Sequence, residues 1–568
     1  MCGIAGILGS NPKNKMDLEK MLLAQKHRGP DATQIWNDEK IILGHNRLSI
    51  IDLSNDANQP MLSNCGNYII VFNGEIYNYL EIKSQLLSEY KFKTSSDTEV
   101  LLAAYVIWGK QMLEKLNGMF SFAIWNRKEN TFFAARDRFG VKPFYYTFYQ
   151  NQFYFSSEIK TLFAAEIPKI KSNKVWANYY SFGTYGLPHE TFYENIYQLK
   201  AGHFLEIIFS ETINSYSIKI QKWYNFSERI AQIKQLSKSE LKEQYESLLI
   251  EAVKLRFRAD VPLGMNVSGG LDSSTLISLV YHNLPSQKII EAFTFYSNNE
   301  NYDELLWVSQ LMQKTPYHLN KVLLDYNEIP KLIEEVGYYQ DEPYGGFPTI
   351  AYSLLFKSAR QKGIKVLLDG QGMDEAWAGY DYYQNNSNSI IQGTNSSPVR
   401  PEAIDSKFLK FALKEEYEQP FDNDLQNLQF RDLFYTKIPR ALRFNDRVSM
   451  MHSTELREPF LDYRLVELAF AQSKEMKLQN GQTKWMLRDL VKNQLGTTIA
   501  FAPKRPLQTP QREWISNELK DYFSDQVEAF SKFDYVNKEK VQTIWSEYKN
   551  GKQDNSFYIW QWINSVVL

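Results

Sequence analysis

An α+β domain spanning residues 1–215, followed by an α/β domain over 235–568, is the fold class the sequence predicts. Three observations predict it. The chain has 568 residues, too many for one core when domains usually run to about 100–250. Its first part is dense in short β-branched or aromatic runs separated by turn residues. From about residue 238 strand-like and helical stretches alternate, and glycine-rich loops follow two of the strands. That rhythm belongs to a parallel sheet with right-handed crossovers.

The strand-like runs of the first domain are 41–51, 67–72, 120–125, 131–135 and 151–156, with turns at Asn73-Gly74 and 127–130. Helical spacing marks 79–88 and 98–108. Mixed polar sequence over 217–237 reads as the join. A long helical segment then covers 238–258. An apolar strand at 262–267, a glycine loop and a helix from Ser273 come next. Another strand follows at 291–296, and 364–368 repeats the order strand, glycine loop, helix. The stretch after about 400 reads as mostly helical. The Asn- and Ser-rich run 384–397 reads as a surface loop.

Composition narrows the function. Apolar residues make up 43% of the chain, so a folded globular protein is expected. Aromatics reach 15%, but the formal charge is −2, without the basic excess of a nucleic-acid binder. Small charged substrates remain open. Two cysteines, Cys2 and Cys65, are too few for a disulfide-stapled secreted domain. The N-terminus carries no basic segment ahead of its apolar stretch, and no run approaches the roughly 18–20 apolar residues of a membrane helix. A cytoplasmic protein without membrane partners is expected.

Cys2 follows the initiator methionine. Removal of Met1 leaves a cysteine with an α-amino group, whose reference pKa of about 7.7–8.0 keeps a fraction neutral near pH 7. That amine can take the thiol proton within the same residue, and the thiolate can attack a carbonyl. On position alone Cys2 reads as filler near a chain end. Gly3 and Gly6, with Ile4, Ile7 and Leu8, instead indicate a terminus buried as a strand.

Four further segments stand in a fixed order: His27-Arg28-Gly29-Pro30-Asp31, His45-Asn46-Arg47-Leu48-Ser49-Ile50-Ile51, Asn73-Gly74-Glu75-Ile76-Tyr77-Asn78 and Ser96-Asp97-Thr98-Glu99. With Met1-Cys2-Gly3-Ile4, they resemble the glutaminase domain of class II amidotransferases, the N-terminal nucleophile group, over about the first 200 residues. The resemblance implies an αββα fold and assigns Cys2 as the nucleophile. It implies that Arg47 pairs with the carboxylate of free glutamine, bidentate as guanidinium chemistry allows. Asp97 and Glu75 would hold the ammonium, with the backbone of Ile50 and Ile51 also in the site. Asn73 and the Gly74 N–H would form the oxyanion hole.

The second glycine-rich site is Ser268-Gly269-Gly270-Leu271-Asp272-Ser273-Ser274, placed after a strand and opening a helix. Glycines admit an anion close to backbone, and a helix N-terminus offers N–H groups. Asp272 inside an anion site calls for a cation, read here as Mg²⁺. The Gly-Lys-Ser/Thr ending of a P-loop is missing. The loop resembles that of ATP pyrophosphatases, which form an adenylate and release pyrophosphate. By that resemblance Asp374, in Asp369-Gly370-Gln371-Gly372-Met373-Asp374-Glu375, is the second Mg²⁺ ligand. Asn266, Val267, Ser268, Gly269, Gly270, Ser273, Phe295, Asp369 and Gly370 would line ATP. Arg457-Glu458-Pro459-Phe460-Leu461-Asp462 matches a family segment Arg-x-Pro-Phe-Leu-Asp, and Lys504 stands where the family carries a lysine for charge on the α-phosphate.

Taken together, the chain resembles the glutamine-hydrolysing asparagine synthetase family, a glutaminase fused to an adenine nucleotide α-hydrolase-like (ATP-pyrophosphatase) domain with a helical C-terminal part. The implied reaction consumes aspartate, glutamine and ATP and yields asparagine, glutamate, AMP and pyrophosphate through an acyl-adenylate and transferred ammonia. Two departures bear on the acceptor. Gln371 stands where asparagine synthetases often carry Glu, and glutamine cannot act as a base at pH 7. The match is also loose over 444–451, read with the second loop as touching the acceptor. Another carboxylate, such as a uronic acid of surface polysaccharide, is therefore the alternative. Related enzymes make a homodimer the expectation by analogy.

Overall fold

The computed structural model describes residues 2–209, 216–284, 290–384, 397–502, 509–552 and 555–568. The first part contains two antiparallel six-stranded sheets. One runs in the order Tyr197–Gln198, Tyr145–Tyr149, Gln152–Ser156, Gly3–Leu8, Ile41–Arg47, Ala32–Asn37. The other runs Tyr216–Lys222, His203–Phe209, Thr131–Arg136, Gly118–Asn126, Tyr68–Ile76, Met61–Leu62.

Strand alternation explains how the sheets stack. Side chains of successive strand residues point to opposite faces. Ile4 and Leu8 meet Ile69, Val71, Trp125 and Phe132 of the second sheet in one core. Ala5 and Ile7 face the other way, onto Leu18, Met21 and Leu22 of helix Asn14–Ala24. On the far side, Ile70, Phe72, Phe122 and Ile124 pack on helices Tyr79–Leu86 and Asp97–Trp108. Both faces of each sheet are thus buried in a helix–sheet–sheet–helix stack, the predicted αββα order. Because Gly3–Leu8 is apolar throughout and buried at every position, the chain start is held in the interior.

The segment read as the join begins as the edge strand Tyr216–Lys222, paired with His203–Phe209. Helix Lys238–Arg256 follows, opened by a capping box in which Ser237 and Glu240 satisfy each other's backbone N–H.

The second part is built on a five-stranded parallel sheet in the order His318–Leu323, Glu291–Tyr296, Leu263–Asn266, Val366–Leu368, Glu455–Arg457. Chain order moves outward from Leu263–Asn266 to one side, then returns to its other side at Val366–Leu368. The strand order reverses between those two strands, and such a switch point opens a crevice at the carboxyl ends. Both glycine loops leave from those ends. The mostly helical reading beyond about 400 holds except for Glu455–Arg457, a short edge strand missed in the sequence. His318–Leu323 was missed as well. The polar run 384–397 falls almost wholly outside the described residues. Among the described residues no helix is long and apolar enough to cross a membrane.

Candidate active sites

The first cleft is walled by Cys2, Arg47, Ile50, Ile51, Gly74, Glu75 and Asp97, all predicted, together with Gln59, Ser96 and Thr98, which were not. Antiparallel pairing of Gly3–Leu8 on both sides places Cys2 at the start of a central strand, where its backbone N lies 3.0 Å from Asn73 Oδ1. The Asn73 amide Nδ2 is buried with no hydrogen-bond partner among the described residues. Gly74 is required by contact: a Cβ there would lie 2.1 Å from the Met119 carbonyl oxygen. Burial pushes the Cys2 thiol up, while the Leu48 N–H and the Arg47 charge pull it down.

Charges in this cleft are arranged by burial. Arg47 donates to the Ser54 carbonyl at 2.6 Å, to Asn58 Oδ1 at 2.8 Å and to the Asp52 carbonyl. These partners are neutral, so its charge is left for a carboxylate. Asp97 accepts from the Ile76 N–H at 2.9 Å, and burial raises its carboxyl to about 6 against that bond. Glu75 is pushed well above the carboxylate range, first by burial and then by Glu455, with Arg457 opposing at 3.4 Å. Gln59 links the walls, donating to Thr98 Oγ1 at 3.1 Å and accepting from the Phe72 N–H at 2.6 Å.

The second cleft lies at the switch point. Asn266, Val267, Ser268, Ser273, Phe295 and Asp369 wall it as predicted, joined by Tyr302, Glu304 and Tyr352. Gly270 N-caps helix Leu271–Asn283, which leaves first-turn N–H groups facing the loop. Ser273 Oγ donates to the Ser268 carbonyl at 2.7 Å and holds the loop on the helix. Asp369 accepts from the Gly370 N–H at 2.6 Å and from the Tyr352 hydroxyl at 3.1 Å. The two loops touch: a Cβ on Gly370 would lie 3.2 Å from the Asp272 Cβ. Gly269 donates its N–H to Glu304 at 3.2 Å.

Asp272 and Asp374 converge on one cation, Lys484, whose Nζ stands 2.5 Å from Asp272 and 2.8 Å from Asp374. Lys484 was not foreseen. It starts helix Trp485–Leu495, more than a hundred residues beyond Asp374, and only tertiary approach brings it in. Burial lowers its basicity, and the two carboxylates more than restore it. Close packing builds this triad, since a Cβ on Gly379 would lie 1.9 Å from Asp374 Oδ1 and 2.3 Å from Lys484 Cε. Gln371 sits half-buried in the second loop. Lys504 lies outside the described residues.

Comparison with known proteins now decides the family. The glutamine amidotransferase domain family matches residues 1–224, and the asparagine synthase family matches residues 244–567. This chain belongs to the asparagine synthase family. "Asparagine synthetase [glutamine-hydrolyzing] 1" of Bacillus subtilis is 28% identical over 99% of this chain and 95% of its own length. "Putative asparagine synthetase [glutamine-hydrolyzing] 2" of Methanocaldococcus jannaschii is 35% identical over 68% of this chain and 76% of its own. "Amidase chry2" of Gibberella zeae is 26% identical over 93% and 92%. This member of the asparagine synthase family is therefore a glutamine-dependent amidotransferase and a carbon–nitrogen ligase.

Residues 444–451, read as touching the acceptor, lie in helix Lys437–Met451, and two of their charged side chains reach the first domain. Asp446 takes a bidentate pair from Arg28 at 2.9 and 3.1 Å, and Arg28 also donates Nε to the Cys2 carbonyl at 3.1 Å. Arg447 donates to the Ser157 carbonyl at 2.9 Å. The segment's charges are used in the seam between the domains, because Arg28 is wholly buried and needs carboxylates.

Proposed function

We propose that the chain makes an amide from a carboxylic acid, with aspartate as the first acceptor, glutamine as nitrogen donor and ATP as the activating substrate. Residues 1–215 would serve as the glutaminase and 235–568 as the synthetase. The observation that carries this reading is the pairing of two clefts in one chain. One holds a buried cysteine beside an amide donor without a partner, and the other stands at the switch point of a parallel sheet with two glycine loops.

In the first cleft, loss of Met1 gives Cys2 an amine that takes the thiol proton, and the sulfur attacks the glutamine side-chain carbonyl. The developing oxyanion meets Asn73 Nδ2 and the Gly74 N–H, donors each worth about 10²–10³ in rate. Arg47 receives the substrate carboxylate, and Asp97 with Glu75 receives its ammonium.

In the second cleft, the Ser268–Ser274 loop and the helix N-terminus cradle pyrophosphate. Asp272 and Asp374 offer hard oxygens on converging lines, the donor type that suits Mg²⁺. Bound there, Mg²⁺ would neutralise charge on the leaving pyrophosphate. Lys484, held by both carboxylates, adds a fixed cation beside the same phosphates. Asn266, Val267, Phe295, Asp369 and Gly370 line the nucleoside, and Gln371 hydrogen bonds at the acceptor. Lys504 keeps its place as the lysine for the α-phosphate.

A second reading keeps the chemistry and changes the acid, favoured by Gln371 and by a relative whose printed name is an amidase. An acceptor screen scored by pyrophosphate release separates the two. Release with aspartate and matching asparagine supports the first reading. Silence with aspartate and release with another acid replaces it.

A further inference from the structure

Between the two clefts lies a third, narrow cavity walled by both domains. The first domain supplies Asn117, Met119 and Val141, and the second supplies Glu458 and Leu461. Its ends are marked by strand register and by packing. Met119 pairs directly with Glu75 of the glutamine cleft across antiparallel strands. Arg457 also reaches Glu75, at 3.4 Å. Leu461 packs on the second glycine loop so tightly that a Cβ on Gly372 would lie 2.5 Å from it. Residues 457–461 therefore run from the wall of one site to the wall of the other, and Glu458 faces the space between.

Glu458 is 5% exposed, and its carboxyl, which makes no hydrogen bond among the described residues, faces this cavity. Ionising a carboxyl in so buried a place is costly. Burial pushes this carboxyl up to about 8 against the pull of Lys142, with Asp369, Asp446 and Asp137 adding to the rise. Arg138 and Arg256 also line the cavity. The Arg138 guanidinium is engaged by the Leu116 and Glu114 carbonyls, and Arg256 by Asp462.

Resting on the two-site reading above, we propose that Glu458 is the proton acceptor on the route of ammonia between the sites. Free ammonia in water near neutrality is mostly ammonium, which has no lone pair with which to attack an adenylate. In the cavity the ammonium gives one proton to the Glu458 carboxylate, and neutral ammonia and a neutral carboxylic acid result. The exchange cancels two opposite charges, which a low-dielectric space favours. Glu458 then returns the proton to water at its exposed edge. A surface carboxylate would be too weak a base for this exchange, whereas a buried one is matched to it.

The test is the amount of amide formed per glutamate released from glutamine, measured across about pH 6 to 9 in the parent and in Glu458→Gln. Glutamine keeps the shape and hydrogen bonding and cannot take the proton. The parent should hold a ratio near unity from about pH 8 upward and lose it below, where Glu458 already carries its proton. The variant should fall about tenfold short of the parent near pH 8, a barrier of about 1.4 kcal/mol, and recover toward pH 9 as ammonium loses its proton unaided. Synthesis from added ammonium salt at high pH verifies that the variant is folded. A variant ratio equal to the parent's across the range overturns the inference. A parent that shows no coupling at any pH overturns instead the two-site reading beneath it.

Discussion

At the scale of single residues the proposed chemistry rests on Cys2, Asn73 and Lys484, and they differ in how readable they were. Cys2 and Asn73 stand inside motifs, so the sequence pointed to them. The partnerless Asn73 Nδ2 then gave the oxyanion reading a physical basis. Lys484 stands in no motif that was recognised, and it reaches the two aspartates of the adjoining glycine loops from a distant helix start. Gln59 escaped for a similar reason, since a glutamine bridging two walls looks like any polar loop residue. Two predictions belong here. Cys2→Ala should abolish use of glutamine and leave synthesis from ammonia, assayed by amide formation with each donor; loss of both activities would argue against separate sites. The second concerns pH. In the proposed glutamine site Asp97 must be ionised to hold the ammonium, and its carboxyl is raised to about 6 by burial. Lowering pH through about 6 should therefore raise KM for glutamine, whereas above it KM should level off. Asp97→Asn should remove that acid limb while weakening binding at every pH.

Among the elements, the strands and helices with strong patterns were legible. The αββα stack follows from runs apolar on alternating faces, and the parallel sheet follows from strand–loop–helix repetition. Two strands escaped, for physical reasons. His318–Leu323 is an edge strand with charged and polar positions toward solvent, so no continuous apolar run announces it. Glu455–Arg457 has three residues, two of them charged, and those charges are buried against each other at 2.5 Å. Such a strand cannot be told from a loop until its neighbour Val366–Leu368 is in place. The glycine loops were found because glycine spacing is visible; why each glycine is needed was not. Gly379→Ala tests this directly. The added methyl meets Asp374 and Lys484, and a displacement of about 1 Å at a reacting centre can cost about 10²-fold. ATP cleavage should fall by that order while glutamate release from glutamine continues. Unchanged ATP cleavage would remove the triad from the account.

Over the whole molecule, the two sites are joined by a seam of buried charge that no local pattern reveals. Arg28 donates to the Cys2 carbonyl and pairs with Glu158 at 2.8 Å and with Asp446 across the seam. Burial opposes that charge, and the two carboxylates restore it. Removing one member of a buried pair commonly costs about 3–5 kcal/mol, because the partner charges stay buried. Arg28→Leu should lower unfolding stability by that amount in denaturant titration and loosen the coupling of the two activities. A variant as stable as the parent would show the seam to be ornamental. Across the seam, Asp462 binds Arg256 at 2.6 Å and Asn117 at 2.9 Å, which gives the end of the Arg457–Asp462 segment a structural role. The most direct measurement of the central claim follows one nitrogen and one nucleotide together. Supplied with glutamine labelled at the amide nitrogen, ATP, magnesium and aspartate, the protein should yield asparagine carrying the label, with AMP and pyrophosphate in equal amount. ADP and phosphate as products, or an amide formed without label, would contradict it.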